Sequence, residues 1–536
     1  MIYINRFFFN ILGQLKRFYL NSKFYDKKIS IIDSKELFYK PSPYLLSSLI
    51  KYQKTKTKIE DFSLNEIWNN NELNKEELKK LNSFYWFFSL DLKSSKQTIQ
   101  SIITNWINNN KKYNHKSWNF DLTAKRIIAW LSNYNLTYEE SSKEYKNNFN
   151  YIIQKQTNHL INEINKSDLV DDKLIGCASI ILVGLCYQNN KKHLPFGLNI
   201  LKKISKLTLD NYNFPKSRNI SQLTFYLKYF ILIREWFREA QINVPEHIEE
   251  TIYYLGQGYA FSWQNTRSDL LFNGNNISNN SDFDNYLKRL GYKFKNETHE
   301  FGGYVVFKNK KICMAMDIGF TPNLNYTKDY QSGSLSFEII SNGQKLISNC
   351  GYHKKNKNNL NKISKSSAAQ STLIIDDNSS CKFIKINNNW MVKKGVKIIK
   401  KEIIFEKKYW KIKASHDGYL RKYNSIHERE IEFFPENMTF VGLDKIIKKK
   451  TNYNYKFDIR FHVEPGVKLM KTQDNKTILI KLNDEGWKFT CENYDINIDN
   501  GLYFGNKNSY TENQNIFITG ISNNQIENIK WEIKKI

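Results

Sequence analysis

Apolar residues recur at helical spacing through the first half of the chain. Phe84, Phe87 and Phe88, continued at Leu90 to Leu92, form one series. Ile99, Ile102, Ile103, Trp106 and Ile107 form the next, and Ile127, Ile128, Trp130 and Leu131 a third. No proline falls between Pro43 and Pro195, which suits a run of uninterrupted helices. Further helices are predicted at about 143–165, 172–187, 196–207, 219–240 and 246–259. Asp121 is the expected cap of the segment beginning at Leu122, and Ser217 or Asn219 that of the helix near Ile220. Such a series, joined by short polar loops, predicts an α-helical array.

Near residue 265 the period changes to two. Tyr304–Phe307, Lys311–Met316, Leu335–Ile340, Thr372–Ile375 and Ile478–Ile480 read as short strands, separated by turns such as Ser341-Asn342-Gly343. The pattern predicts a helical first half and an all-β second half. The expected boundaries are an N-terminal extension at 1–45, a helical domain at 46–265 and a β domain at 266–536.

Composition narrows the possibilities. The 536 residues include 15% aromatics, enough to bury a large core, so a disordered chain is excluded. No run approaches the ~20 apolar residues that span a bilayer, so no integral membrane segment is expected. Lys and Arg number 81 against 53 acidic residues, a formal charge of +28. The basic residues are spread along the chain and accompany abundant Asn, Ile and Tyr, as in an A/T-rich coding sequence. They form no stripe with a nucleic-acid motif, so no nucleic-acid partner is expected. An acidic polymer suits the diffuse positive field. Six dispersed cysteines make neither a zinc ribbon nor a disulfide framework, and Cys177 and Cys186 read as buried thiols. Arg6, the Phe7–Leu12 run, Lys16 and Arg17 open the chain. That run is short for a signal-peptide core and no small-residue cleavage site follows, which leaves a cytoplasmic location open.

No phosphate loop, His-Glu-x-x-His or Gly-x-Ser-x-Gly element is present. Five of nine histidines fall in the β half, and His353, His416, His427 and His462 are the four that draw notice. His416-Asp417-Gly418 is either a carboxylate-oriented imidazole or a hairpin closed by Asp417-Gly418. Phe214-Pro215-Lys216-Ser217-Arg218-Asn219 either starts a helix or aims Arg218 at a sugar carboxylate.

A longer series carries a resemblance. Leu81–Trp86, Ser117–Phe120 and Ala124–Leu131 resemble the helical domain of heparinase II/III family proteins. Leu335-Ser336-Phe337-Glu338, Asn349-Cys350-Gly351, Ala368–Thr372, Asp376–Cys381, Ala414–Tyr419, His427-Glu428-Arg429, Arg460-Phe461-His462 and Glu485-Gly486-Trp487 follow that family's order and spacing. The chain resembles in particular the heparinase II/III-like proteins of alphaproteobacteria.

The resemblance implies an incomplete α/α toroid followed by an antiparallel β-sandwich. It also implies a polysaccharide lyase working on uronate-containing chains in a cleft between the two, in the cell envelope or periplasm. In that chemistry Asn, His or Arg offsets the uronate carboxylate, and Tyr or His removes the C5 proton and protonates the leaving oxygen. The motif histidines are replaced here. Asp329 aligns with the catalytic histidine, and Gln331, Asn349 and Gln370 align with the three zinc ligands. Amides are poor zinc ligands, so no metal or other cofactor is expected. The amides are expected to hydrogen-bond one another and hold the same strands together. Tyr212, Tyr259 and Tyr330 are then the acid/base candidates, Arg218 and Asn219 the neutralisers, and His416, His427, Arg460 and His462 the substrate-binding candidates. Two rival readings remain, a silent glycan-binding relic and a hydrolase with opposed carboxylates.

Overall fold

The computed structural model describes residues 13–32, 36–47, 49, 74–89, 95–167, 169–187, 192–278, 280–355, 359–449, 454–506 and 509–536. The chain divides into two compact units. One comprises Met1–Thr208, Tyr226–Ile252 and Asp282–Leu290; the other comprises Leu209–Phe225, Tyr253–Ser281 and Gly291–Ile536.

The first unit is helical, with Lys96–Asn110, Phe120–Ser132, Lys143–Glu163, Val170–Cys186 and His193–Thr208 among its longer helices. The periodic positions face inward, and Ile99, Ile102, Ile103, Trp106 and Ile107 are all buried. Every residue from Leu174 to Cys186 is buried, so Val170–Cys186 is a core helix beyond its charged first turn. Cys177 and Cys186 are free and buried within it, as expected. Asp121 does not cap the helix Phe120–Ser132. Asn119 holds that position without a side-chain hydrogen bond, and Asp121 lies within the first turn, 3.4 Å from Lys125. A carboxylate there still favours the helix through its dipole. The expected Leu90–Leu92 continuation lies outside the described residues.

The second unit is built on antiparallel sheets. Five strands, Glu300–Phe301, Tyr304–Lys308, Ile312–Asp317, Phe337–Ser341 and Gln344–Ile347, form a meander. Its last hairpin turns at Asn342 and Gly343, both at positive φ, the geometry that matches strand twist. The strand expected from Leu335 starts at Phe337 instead, because Leu335 itself sits at φ 60°. An eight-stranded sheet runs spatially from Lys468–Lys471 to Ile398–Phe405, and a four-stranded sheet joins Ile496–Tyr503, Thr511–Ser522, Tyr455–His462 and Leu373–Ile375. Inward residues of all three sheets share one core, including Phe337, Trp410, Phe461, Trp487 and Trp531. Helices therefore precede antiparallel sheets, in the expected order.

Candidate functional site

The segment 209–219 lies wholly within the sheet unit. Asp210 accepts hydrogen bonds from the N–H groups of Tyr212 and Phe214, each at 2.9 Å, which fixes a tight turn with Tyr212 at its tip. Tyr212 is 70% exposed. Phe214 points the other way and packs edge-on against Phe301.

Arg218 follows at φ 60°. Its guanidinium is buried and donates to Gly302 O (3.0 Å), Gly303 O (2.9 Å), Phe320 O (3.4 Å) and Asp317 Oδ1 (2.6 Å), over the face of Tyr304. A Cβ at Gly319 would fall 2.2 Å from its Cζ, so only glycine admits the side chain there. Burial alone would lower the Arg218 pKa, but Asp317, with Tyr304 and Tyr330, outweighs it and holds the cation charged. Asn273 donates to Asp317 Oδ2 (2.9 Å) and to the Tyr304 hydroxyl, which donates to Arg218 O. The fork expected to grip a sugar carboxylate is thus held by four acceptors of its own unit.

Asn219 caps the helix Ile220–Glu239. Its Oδ1 accepts from the Gln222 N–H at 3.2 Å, so one of the two expected caps is the actual one. With the oxygen so fixed, Nδ2 faces Gly274, where an added Cβ would lie 2.6 Å from Asn219 Nδ2 and 2.8 Å from Asp329 Cβ. Gly274, at φ +86°, is thus the floor on which Asn219 and Asp329 converge. Asp329 is half-buried and accepts from the Tyr352 hydroxyl at 2.9 Å. Tyr352 is held high by burial and then by Asp329. Lys365 lies 5.6 Å from the Tyr352 ring and donates to the carbonyls of Lys328 and Trp390. Burial brings its pKa down to about 8. Tyr352 and Lys365 escaped the sequence reading, although Tyr352 directly follows the Asn349-Cys350-Gly351 motif.

The other tyrosines are interior. Tyr330 is buried beside Cys381, Val392 and Val396, accepts from the Thr321 hydroxyl at 3.3 Å, and is held high mainly by burial. Tyr259 is buried, with its hydroxyl 3.5 Å from Asn280 O. Neither meets Asn219 in a hydrogen bond.

The amides at the metal-ligand positions do not fit zinc. Gln331 accepts from Gly274 N–H (2.9 Å) and donates to Gly351 O (2.9 Å) and Ser364 O (2.6 Å). Asn349 Oδ1 accepts from Ser371 N–H (2.8 Å) while its own N–H donates to Glu338. Gln370 donates to Ser364 O at 3.4 Å. The amides do not hydrogen-bond one another, as had been expected; each ties backbone segments together, with Ser364 O shared by two. Among the described residues no group of three His, Cys, Asp or Glu is placed to hold a metal ion.

The substrate-binding candidates lie within the sheets. The Gly418 N–H donates to His416 Nδ1 (3.0 Å), His416 Nε2 meets His427 Nδ1 (3.2 Å), and His427 Nε2 meets Asp444 Oδ1 (2.7 Å). Both rings are buried, and burial lowers both pKa values. Asp417 orients neither ring. It accepts from Lys397 N–H, and residues 417–424 form a longer connection than the hairpin expected at Asp417-Gly418. His462 is buried between Cys350 Sγ (3.2 Å) and Ala368 O (2.9 Å), and burial takes its pKa down to about 3. Arg460, partly exposed, donates to Asn515 Oδ1 at 3.1 Å.

The antiparallel sheets that share one core define a sandwich-type domain. Residues 299–532 match the family "Heparinase II/III-like, C-terminal", and this domain belongs to the heparinase II/III family. Among solved structures, heparinase III, the BT4657 gene product, is similar with a TM-score of 0.68 and 13% identity, over 92% of this chain and 83% of that one. A second heparinase III structure gives 0.69 and 14%, over 92% and 84%. Heparan sulfate lyase HepC from Pedobacter heparinus gives 0.64 and 11%, over 92% and 82%. At these identities the likeness is one of fold. No curated protein sequence matches the chain significantly.

Proposed function

We propose that the protein is a polysaccharide lyase acting on a uronate-containing acidic polysaccharide by β-elimination. The observation that carries this reading is Asn219, whose oxygen is locked as a helix cap while its amide nitrogen faces Gly274 and Asp329. There the N–H group binds the uronate carboxylate and makes the C5 proton more acidic. A base takes that proton, its electron pair forms the C4=C5 double bond, the C4–O bond breaks, and an acid protonates the departing oxygen. Tyr212, exposed on the same segment, is the acid/base residue of this reading. The test is the ultraviolet absorbance of unsaturated uronate on heparan sulfate and other uronate polymers. Asn219→Ser, which keeps a capping oxygen and deletes the N–H, is expected to lower turnover by about 100-fold or more. Tyr212→Phe is expected to abolish it.

A second reading is supported by the internal pairing of Arg218, the burial of Tyr259 and Tyr330, and the carboxylate at Asp329. On this reading the protein binds acidic glycans without cleaving them. Retained polymer binding with no absorbance change would favour it over the lyase.

A further inference from the structure

The basic and aromatic start of the chain is not used by the site around Gly274. Two short helices, at 13–20 and at Lys23–Ile29, carry it. The second is anchored inward. Tyr25 and Ile29 are buried, the Tyr25 hydroxyl meets His159 Nδ1 at 2.7 Å, and Asp26 pairs with Lys155 at 2.8 Å. The first reaches the same helix Lys143–Glu163 through Lys16 and Glu163, 2.6 Å apart. Both therefore present a fixed outer face.

That face is the reverse of an ordinary surface helix. Leu15, Phe18 and Tyr19 follow one another at i, i+3 and i+4, with Leu15 60% and Phe18 80% exposed. Phe24, 71% exposed, continues the patch across the turn and touches Tyr19 ring to ring at 6.5 Å. Arg17, Lys23, Lys27 and Lys28 lie on the same two helices and are all exposed, while Lys16 is held by Glu163. The one acid among them, Asp26, is neutralised by Lys155. Scattered exposed apolar residues are ordinary, but three rings and a leucine on one face of two cationic helices are not.

We propose that the Leu15–Phe18–Tyr19–Phe24 face docks the protein peripherally on an anionic lipid surface. Aromatic and leucine side chains on helices that also carry Lys and Arg suit the headgroup region, where rings enter the acyl boundary and cations meet lipid phosphate. No helix among the described residues is long and apolar enough to cross a membrane, so the contact is with the surface. The inference is independent of the lyase reading, because no residue of it belongs to the sheet unit.

The full chain is tested by co-sedimentation with vesicles of phosphatidylcholine alone and of phosphatidylcholine with phosphatidylglycerol, at about 0.15 M salt. Binding is expected only where the anionic lipid is present. Phe18→Ser with Phe24→Ser is expected to weaken it by roughly tenfold per ring. Lys23→Gln, Lys27→Gln and Lys28→Gln together are expected to weaken it and flatten its salt dependence. If the serine variant binds as the parent does, the diffuse +28 charge is responsible and the proposal falls. It falls equally if no vesicle is bound, or if sedimentation shows a dimer that the serine variant abolishes, which would give the face to a second copy. Should the serine variant fold poorly, Phe18→Trp serves instead. Its fluorescence must be quenched by brominated acyl chains, and an unquenched signal overturns the proposal.

Discussion

Each unit buries an arginine, and the two solve the problem differently. In the helical unit, Arg126 donates to Asn82 O and Ser117 O at 2.9 Å, to Gln156 Oε1 and to Thr123 Oγ1, and stacks on Trp106 at 4.0 Å. None of these hydrogen-bond partners is a carboxylate, and burial lowers its pKa well below the usual value. In the sheet unit, Arg429 makes two contacts with Asp444, at 2.8 and 3.1 Å, and donates to Leu335 O and Ser371 O. Arg429 and Asp444 are directly opposite on neighbouring strands, so the register itself supplies the counter-charge. The helix bundle offers Arg126 only dipoles and a ring.

The comparison can be broken by experiment. Asp444→Asn leaves Arg429 charged and unpaired, and is expected to destabilise the sheet unit by about 3–5 kcal/mol. Faster hydrogen exchange over residues 425–448 and a lower denaturation midpoint would measure it. Acid should act next most strongly. A histidine whose folded pKa lies below its unfolded ~6.5 is stabilising only while neutral, so stability falls as pH drops below that value. From pH 7 to pH 5, His462 (about 3) and His159 (about 4) each contribute a loss of about 2 kcal/mol. His416 and His427 add to it in the sheet unit, so exchange there should rise before exchange around His159. Arg126→Met should have the smallest effect, about 1 kcal/mol, because the lost hydrogen bonds are offset by removal of an uncompensated charge. A loss equal to that of Asp444→Asn would mean that dipoles hold a buried charge as firmly as a carboxylate does.

Periodicity made much of the fold legible. The helices expected at 143–165 and 246–259 appear as Lys143–Glu163 and Glu246–Tyr259, because their stripes are long and uninterrupted. Local chemistry was less reliable. Asp121 looked like a cap yet sits inside its helix, and Leu335 looked like strand but adopts positive φ. The site was legible only in part. Asn219 could be picked out because its helix is local. Its neighbours Gly274, Asp329 and Tyr352 arrive from segments dozens of residues apart, and no spacing rule links them. Arg218 was read as a neutraliser of the uronate carboxylate because sequence carries no record of Asp317, Gly302 and Gly303 closing around it.

The histidine row of the eight-stranded sheet has a direction. The Gly418 amide can only donate, so His416 Nδ1 must accept, His416 Nε2 carries the hydrogen, and His427 passes the same polarity on to Asp444. A proton relay needs an acceptor at its far end, and this row ends on a backbone N–H that never accepts one. The two imidazoles therefore form an insulator rather than a wire. A proton gained at Asp444 would have no route along them, which keeps the Arg429 counter-charge constant while the surface titrates.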